Sequence, residues 1–310
     1  MSITYTEHQL DLLNKVDELM KSKNISQAKA SELIGISSGT LSQIKNKKYA
    51  ADPQPTFAKI ESYFGVKEEA KLKYTEIKYA STSISSEIYS IIRICQVKGG
   101  LAVACGDAGI GKTKAARKFL EDNPTNSVLV TVHPCNSAIK PLLETLADKI
   151  GASNERTIDK LWNSIANKLS DGMVLIFDEA QHLSYKAIEV LRSFSDYFAD
   201  QEQTLGICFI GNTDTVSRLG SKRAEFAQIA NRTKQRKIYG KDNILRDDIA
   251  KLFPILEAEN KNMEIDLLWK ISQTSQAVRG AINVFSNAYD NGNYSYDGLV
   301  AMMKFMDISI

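Results

Sequence analysis

Two short stretches of this chain carry the residue types that phosphate chemistry requires. Gly106-Asp107-Ala108-Gly109-Ile110-Gly111-Lys112-Thr113 is a complete G-x-x-x-x-G-K-[ST] loop, and Lys114 follows it at the start of a helix-like segment. Glycines at 106, 109 and 111 let the backbone turn tightly enough for successive N–H groups to face phosphate oxygens, while the next helix offers the positive end of its dipole. Lys112 is placed to reach the β- and γ-phosphates and Thr113 to hold Mg²⁺. The second stretch is Asp178-Glu179, closing the apolar run Met173 to Phe177. Asp178 would orient the Mg²⁺ through its water shell, and Glu179 would activate an attacking water as general base. Alone, such a pair also serves as the acidic first turn of a helix; the phosphate loop upstream favours the catalytic reading. The chemistry implied is nucleoside triphosphate hydrolysis with Mg²⁺.

A third element, Phe209-Ile-Gly-Asn212, ends in an amide that either holds the lytic water, senses the γ-phosphate, or only turns the chain after Gly211. His182 has two readings, a hydrogen-bonded residue beside the site or a coupler between nucleotide and DNA. To bring these groups together the chain needs a sheet. Apolar runs at 101–105, 128–132, 173–177 and 205–210, with a short one at 237–239, read as strands, and segments of helical period at 138–150 and 158–169 lie between them. Strands alternating with helices predict an α/β fold, a mostly parallel sheet covered on both faces, with its ligands at the carboxyl ends of the strands.

Upstream, Ser26 to Lys47 resembles a helix-turn-helix of the phage-repressor kind. Gln27 opens the first helix, Ala30 and Ser31 are small where two helices cross, Gly35 takes the turn, Ser37 caps the second helix, and Ile36, Leu41 and Ile44 point inward. Ser38, Gly39, Thr40, Gln43 and Lys45 then lie on the outer face or leading turn that would meet DNA, with Lys47 and Lys48 trailing toward phosphates. A reading face of Ser and Thr implies modest sequence selectivity and a strong salt-dependent term. The alternative is a helical protein-interaction module. The expected division is a helix-turn-helix domain at 1–65, a polar linker at 66–86, an ATPase core at 87–240 and an all-helical C-terminal domain at 241–310. Met302, Met303 and Met306 in the last helix read as core filling or as a partner surface.

The chain has 310 residues, 43% hydrophobic and 25% charged, an ordinary globular composition. Its net charge of +2 conceals an asymmetry: between 214 and 241 eight Lys and Arg residues face only Asp214 and Glu225. Cys95, Cys105, Cys135 and Cys208 have no paired spacing and read as reduced core cysteines of a cytoplasmic protein, the host cytoplasm if phage-encoded. No export signal or bilayer-length apolar run is expected.

The loop at 106–113, the strand 173–179 and Asn212 together resemble the AAA+ ATPases, as their Walker A, Walker B and sensor 1 elements. The resemblance implies a sensor 2 arginine at Arg279, within Ser275-Gln-Ala-Val-Arg-Gly of a helical lid, and a trans-acting arginine finger at Arg232, so that hydrolysis would need a homo-oligomer. Asp178-Glu-Ala-Gln-His182 also weakly resembles the motif of DEAH-type helicases, but the second core and the arginine-rich segment of that mechanism are not found. The order helix-turn-helix, single AAA+ core, Asp-Glu-Ala-x-His and short lid resembles the Mu-type phage transposition B proteins. That resemblance implies an ATPase that polymerises on double-stranded DNA as an ATP-dependent helical filament, captures target DNA largely without sequence preference and activates a transposase. Lys140, Lys222 and Arg223 are candidates for the DNA-facing surface, and each reads equally as a solvated charge. The alternatives are an AAA+ loader or secretion-associated ATPase, and a nucleotide-switched repressor or partition factor.

Overall fold

The computed structural model describes residues 5–72, 79–215 and 233–310. Arg218, Lys222, Arg223, Glu225 and Arg232 lie outside the described residues. The chain divides into two compact units, Met1–Tyr74 and Thr75–Ile310.

The first unit is all helical: α1 (Glu7–Lys23), α2 (Gln27–Ile34), α3 (Ser38–Lys45) and α4 (Gln54–Leu72). Its helix ends follow local chemistry. Thr6 forms a reciprocal capping box with Gln9 at the start of α1, and Ser26 and Ser37 accept the N–H groups of Lys29 and Thr40 to start α2 and α3. Gly35 ends α2 in the left-handed region at φ 79°, where an L side chain would be strained. Leu12, Val16, Leu41, Ile44, Phe57 and Ile60 form the core, with Ile36 packed against it. One boundary differs from expectation. α4 continues through Gly65 to Leu72, so 66–72 is helix rather than linker.

The second unit carries a five-stranded parallel sheet: β1 (Gly100–Gly106), β2 (Ser127–Thr131), β3 (Met173–Asp178), β4 (Leu205–Gly211) and β5 (Thr233–Tyr239), in the order β2-β3-β4-β1-β5. Helix α5 (Ser83–Lys98) precedes β1 and begins inside the expected linker. α6 (Lys112–Asp122), α7 (Ile139–Ile150), α8 (Ile158–Ala166) and α9 (Tyr185–Ala199) connect the strands. Leu101, Val103, Leu175, Phe177, Ile207 and Phe209 point to the layer of α7, α8 and α9. Their neighbours in the period-2 alternation point to the opposite face, where α5 and α6 pack. Burial on both faces explains why β4 is apolar throughout, with every residue buried.

β5 is an edge strand paired only with β1, and it is longer than the expected 237–239. Its exposed Lys234, Arg236 and Lys237 suit an edge that must not recruit further strands. The C-terminal helices are α10 (Arg246–Leu252), α11 (Pro254–Ala258), α12 (Asn262–Ser272), α13 (Ala277–Asp290) and α14 (Tyr296–Phe305). Between α10 and α11 the helix is broken at Phe253, because Pro254 disfavours helical backbone before it and starts α11 instead. Three cysteines are buried as expected, but Cys135 is exposed in a short turn after β2, a correction that places one thiol outside the core.

Candidate functional site

β4 lies between β1 and β3, so the ends of three neighbouring strands carry the phosphate loop, Asn212 and the Asp178-Glu179 pair. The loop's glycines each answer a different constraint. A Cβ at Gly106 would come within 2.1 Å of the Tyr239 carbonyl oxygen, so β1 and β5 close on each other only with glycine there. Gly109 and Gly111 have φ of 80° and 97°, turning the backbone into the start of α6. Asp107 turns away from the cavity and accepts the Lys241 N–H at 3.0 Å, tying the loop to the start of the helical domain.

Lys112 Nζ donates to the carbonyls of Gly106 and Asp107 at 2.9 and 2.6 Å. Burial pulls its pKa below the usual lysine value, opposed by the carboxylates of Asp178 and Glu179. Thr113 Oγ1 donates to Asp178 Oδ2 at 2.7 Å, and the Glu179 N–H donates to Asp178 Oδ1 at 3.0 Å. Burial raises the Asp178 pKa, and the Thr113 hydrogen bond opposes the rise. A hydroxyl and a carboxylate meeting at one point form the oxygen donor set that Mg²⁺ uses with phosphate oxygens completing its shell, so the residues fit that ion. Glu179 is exposed and sits at φ 57°, ψ 37°, a left-handed conformation unusual for a side chain of its size. Strain of that kind concentrates where function over-determines the backbone.

A cavity of about 500 Å³ joins these groups. Ala108 to Lys114, Glu179, Asn212 and Arg279 all line it, so the structure brings these expected residues into one space, whereas Gly106, Asp107 and Asp178 lie outside the lining. Arg279 is carried on the first turn of α13, and its Cβ would lie 3.1 Å from a Cβ built at Gly109, so the lid rests on the loop itself. Asn212 faces the cavity, yet its side chain is engaged as a turn residue: Oδ1 accepts the Asp214 N–H at 2.9 Å, and Nδ2 donates to Asp214 Oδ2 at 3.3 Å. Both readings of this residue therefore have a structural counterpart. The exposed His182 lies outside the cavity lining, and its backbone N–H donates to the Glu179 carbonyl at 3.1 Å.

Several lining residues were not singled out from sequence. Tyr79, Thr82 and Ser85 come from the stretch read as linker, Leu252, Val278 and Ile282 from the helical domain, and Gln181 from the turn after β3. Gln181 stood inside the Asp-Glu-Ala-Gln-His motif without a role; the others carry no local signal.

Of the DNA-facing candidates, Ser38, Gln43, Lys47 and Lys48 are exposed in the first unit and Thr40 is half-buried, its hydroxyl 2.8 Å from that of Ser37. Lys45 is ion-paired with Asp17 of α1. Gln27 Nε2 donates to the Ser38 carbonyl at 3.3 Å, bracing the first helix of the motif on the start of the second. Lys140 pairs with Glu144 one turn along α7 at 3.8 Å, as a solvated surface charge does.

A family model described as an AAA domain matches residues 96–219, and one described as helix-turn-helix matches residues 16–70. The Mu-like prophage FluMu DNA transposition protein B of Haemophilus influenzae is 30% identical over 214 residues, covering 68% of this chain and 72% of that protein. The ATP-dependent target DNA activator B of Escherichia phage Mu is 28% identical over 255 residues, covering 79% and 77%. Among solved structures, the ORC2 protein of Aeropyrum pernix superposes with a TM-score of 0.54 at 13% identity, covering 71% of this chain and 66% of that one, a likeness of fold. An AAA domain with intact phosphate-loop and carboxylate motifs, the helix-turn-helix before it and the extent of the match agree: the chain is an AAA+ ATPase and belongs to the family of Mu-type phage DNA transposition B proteins.

Proposed function

We propose that this chain is an ATP-dependent target-DNA activator: it assembles on double-stranded DNA largely without sequence preference, captures that DNA and activates a transposase. The observation that carries the reading is the single cavity in which Lys112, Thr113, Glu179, Asn212 and Arg279 converge, in a chain that also bears a helix-turn-helix.

In this reading Lys112 neutralises phosphate charge at the loop, and Glu179 takes the proton of the attacking water onto a carboxylate oxygen. Arg279 reports the presence of the triphosphate to the lid through α13. Thr113 and Asp178 would hold Mg²⁺, which when bound supplies the charge that neutralises the phosphate oxygens. Arg232 is the proposed finger offered to a neighbouring subunit, which makes hydrolysis depend on assembly. DNA contacts are proposed at Ser38, Thr40, Gln43, Lys45, Lys47 and Lys48, with Lys140, Lys222 and Arg223 as further candidates. The protein would act in the cytoplasm of the host; among the described residues no helix is long and apolar enough to cross a membrane.

The test is ATP turnover with and without nonspecific duplex DNA, beside electron microscopy of the same mixtures. Turnover stimulated by DNA, and helical filaments that require ATP and DNA together, are expected. Turnover indifferent to DNA with no assembly when both are present would overturn the reading.

A further inference from the structure

The exposed carboxylate of Glu179 is held by a residue that no motif assigns. Gln181 lies two positions on, in the turn Ala180–His182, which is closed by the His182 N–H donating to the Glu179 carbonyl at 3.1 Å and anchored by buried Ala180. Its side chain makes two hydrogen bonds in opposite senses. Nε2 donates to Glu179 Oε2, and Oε1 accepts the backbone N–H of Asn212 at 3.2 Å.

The chemistry of those partners fixes the amide. A carboxylate only accepts and a backbone N–H only donates, so one amide orientation satisfies both. A Cβ at Gly211 would lie 2.2 Å from Thr215 Oγ1 and 2.6 Å from Gln181 Oε1, so glycine at the end of β4 leaves room for this placement of the amide. Neither Lys112 nor Thr113, the residues proposed for phosphate and metal, is hydrogen-bonded to Gln181; their bonds go to the loop carbonyls and to Asp178.

We propose that Gln181 is a positioning residue for ATP hydrolysis, orienting the Glu179 carboxylate against the end of the strand that carries Asn212. The proposal rests on the reading of Glu179 as general base and deepens it. Its consequence is that the base is aligned only while the ends of β3 and β4 keep their present separation. Any change in the separation of those two strand ends is then felt at the base.

The test uses the full chain with Mg-ATP and duplex DNA, and three substitutions: Gln181→Ala, Gln181→Met, which keeps length and removes both bonds, and Gln181→Glu, which can still accept from Asn212 but cannot donate to Glu179. All three are expected to lower kcat about tenfold, through misalignment of the base. KM for ATP, and the affinity for a fluorescent ATP analogue, should stay within about twofold, because the interaction lost is made in the transition state rather than in binding. In a Glu179→Gln background, Gln181→Ala should change the residual turnover by less than about twofold, since a residue acting through Glu179 is not additive with it. Gln181→Met turning over at the wild-type rate would overturn the proposal. So would a KM that rises as kcat falls, or a full tenfold loss persisting without Glu179. If Glu179→Gln is inactive while Gln181→Met is active, the role of Gln181 alone falls; normal turnover by Glu179→Gln removes the base assignment and the proposal with it.

Discussion

At the scale of single residues the site separates binding from chemistry. The Glu179 side chain is hydrogen-bonded to Gln181 and not to the phosphate loop, so Glu179→Gln should bind ATP as the wild type does and lose about 10²- to 10⁴-fold in turnover, the usual contribution of a general base. Steady-state hydrolysis beside equilibrium binding of a fluorescent ATP analogue checks both halves. Gly109 is the converse case. It sits at φ 80°, and a Cβ there would meet Arg279 Cβ at 3.1 Å and the Gln276 carbonyl at 3.3 Å. Gly109→Ala should therefore weaken analogue binding roughly fivefold or more, since left-handed backbone costs an L residue about 1–2 kcal/mol before the lid is displaced. Unchanged affinity would show that the lid does not need to rest on the loop. The loop, the Asp-Glu pair and Arg279 were legible in the sequence because their chemistry is written in local spacing or chain order. The role of Gln181 was not, because it depends on the β3 to β4 neighbourhood and on a glycine 30 positions away.

At the scale of elements, the contact between the expected linker and the helical domain has the clearest consequence. Asp248, on α10, is 1% exposed and accepts the Ser83 N–H at 2.7 Å, the Ser83 hydroxyl at 3.1 Å and the Leu245 N–H at 3.1 Å. One carboxylate thus satisfies donors at the starts of both α5 and α10, and Lys251 Nζ reaches the Ser81 carbonyl at 3.3 Å beside it. Tyr79, Ala80 and Thr82, which line the cavity, are held in place by the C-terminal helices through these bonds. Asp248→Ala leaves three part-buried donors without their acceptor and should cost about 2–4 kcal/mol. A fall in the denaturation midpoint, together with weaker ATP-analogue binding, is expected; a loss of stability without any loss of affinity would show that 79–82 does not contribute to the nucleotide site. Sequence reading misplaced this stretch for a physical reason. α4 runs on through Gly65 into the charge-mixed stretch that follows, while the polar, Ser-rich run after 79 is ordered by tertiary hydrogen bonds that leave no periodicity. β5 was underestimated for a related reason, since an edge strand carries charge where a buried strand carries apolar side chains.

At the scale of the whole molecule, two units with separate cores share one chain, and the first of them bears the proposed DNA-reading helix. Its basic residues are not equivalent. Lys45 is already neutralised by Asp17, whereas Lys47 and Lys48 are exposed after the end of α3, with the left-handed backbone of Lys47 (φ 56°) turning the chain there. Affinity for nonspecific duplex depends on salt in proportion to the phosphates neutralised, at a slope of about 0.9 per contact. Replacing Lys47 and Lys48 together by Ala in the full chain should lower the magnitude of that slope by about 2, whereas Lys45→Ala should change it by less than one phosphate's share. Fluorescence anisotropy of a labelled duplex over a range of NaCl concentrations, with ATP present throughout, measures it. A slope unmoved by the double substitution would place the phosphate contacts in the second unit and leave the helix-turn-helix as a protein-binding module. A large change from Lys45→Ala would mean that the Asp17 pair opens when DNA binds, making α1 part of the DNA-sensing surface.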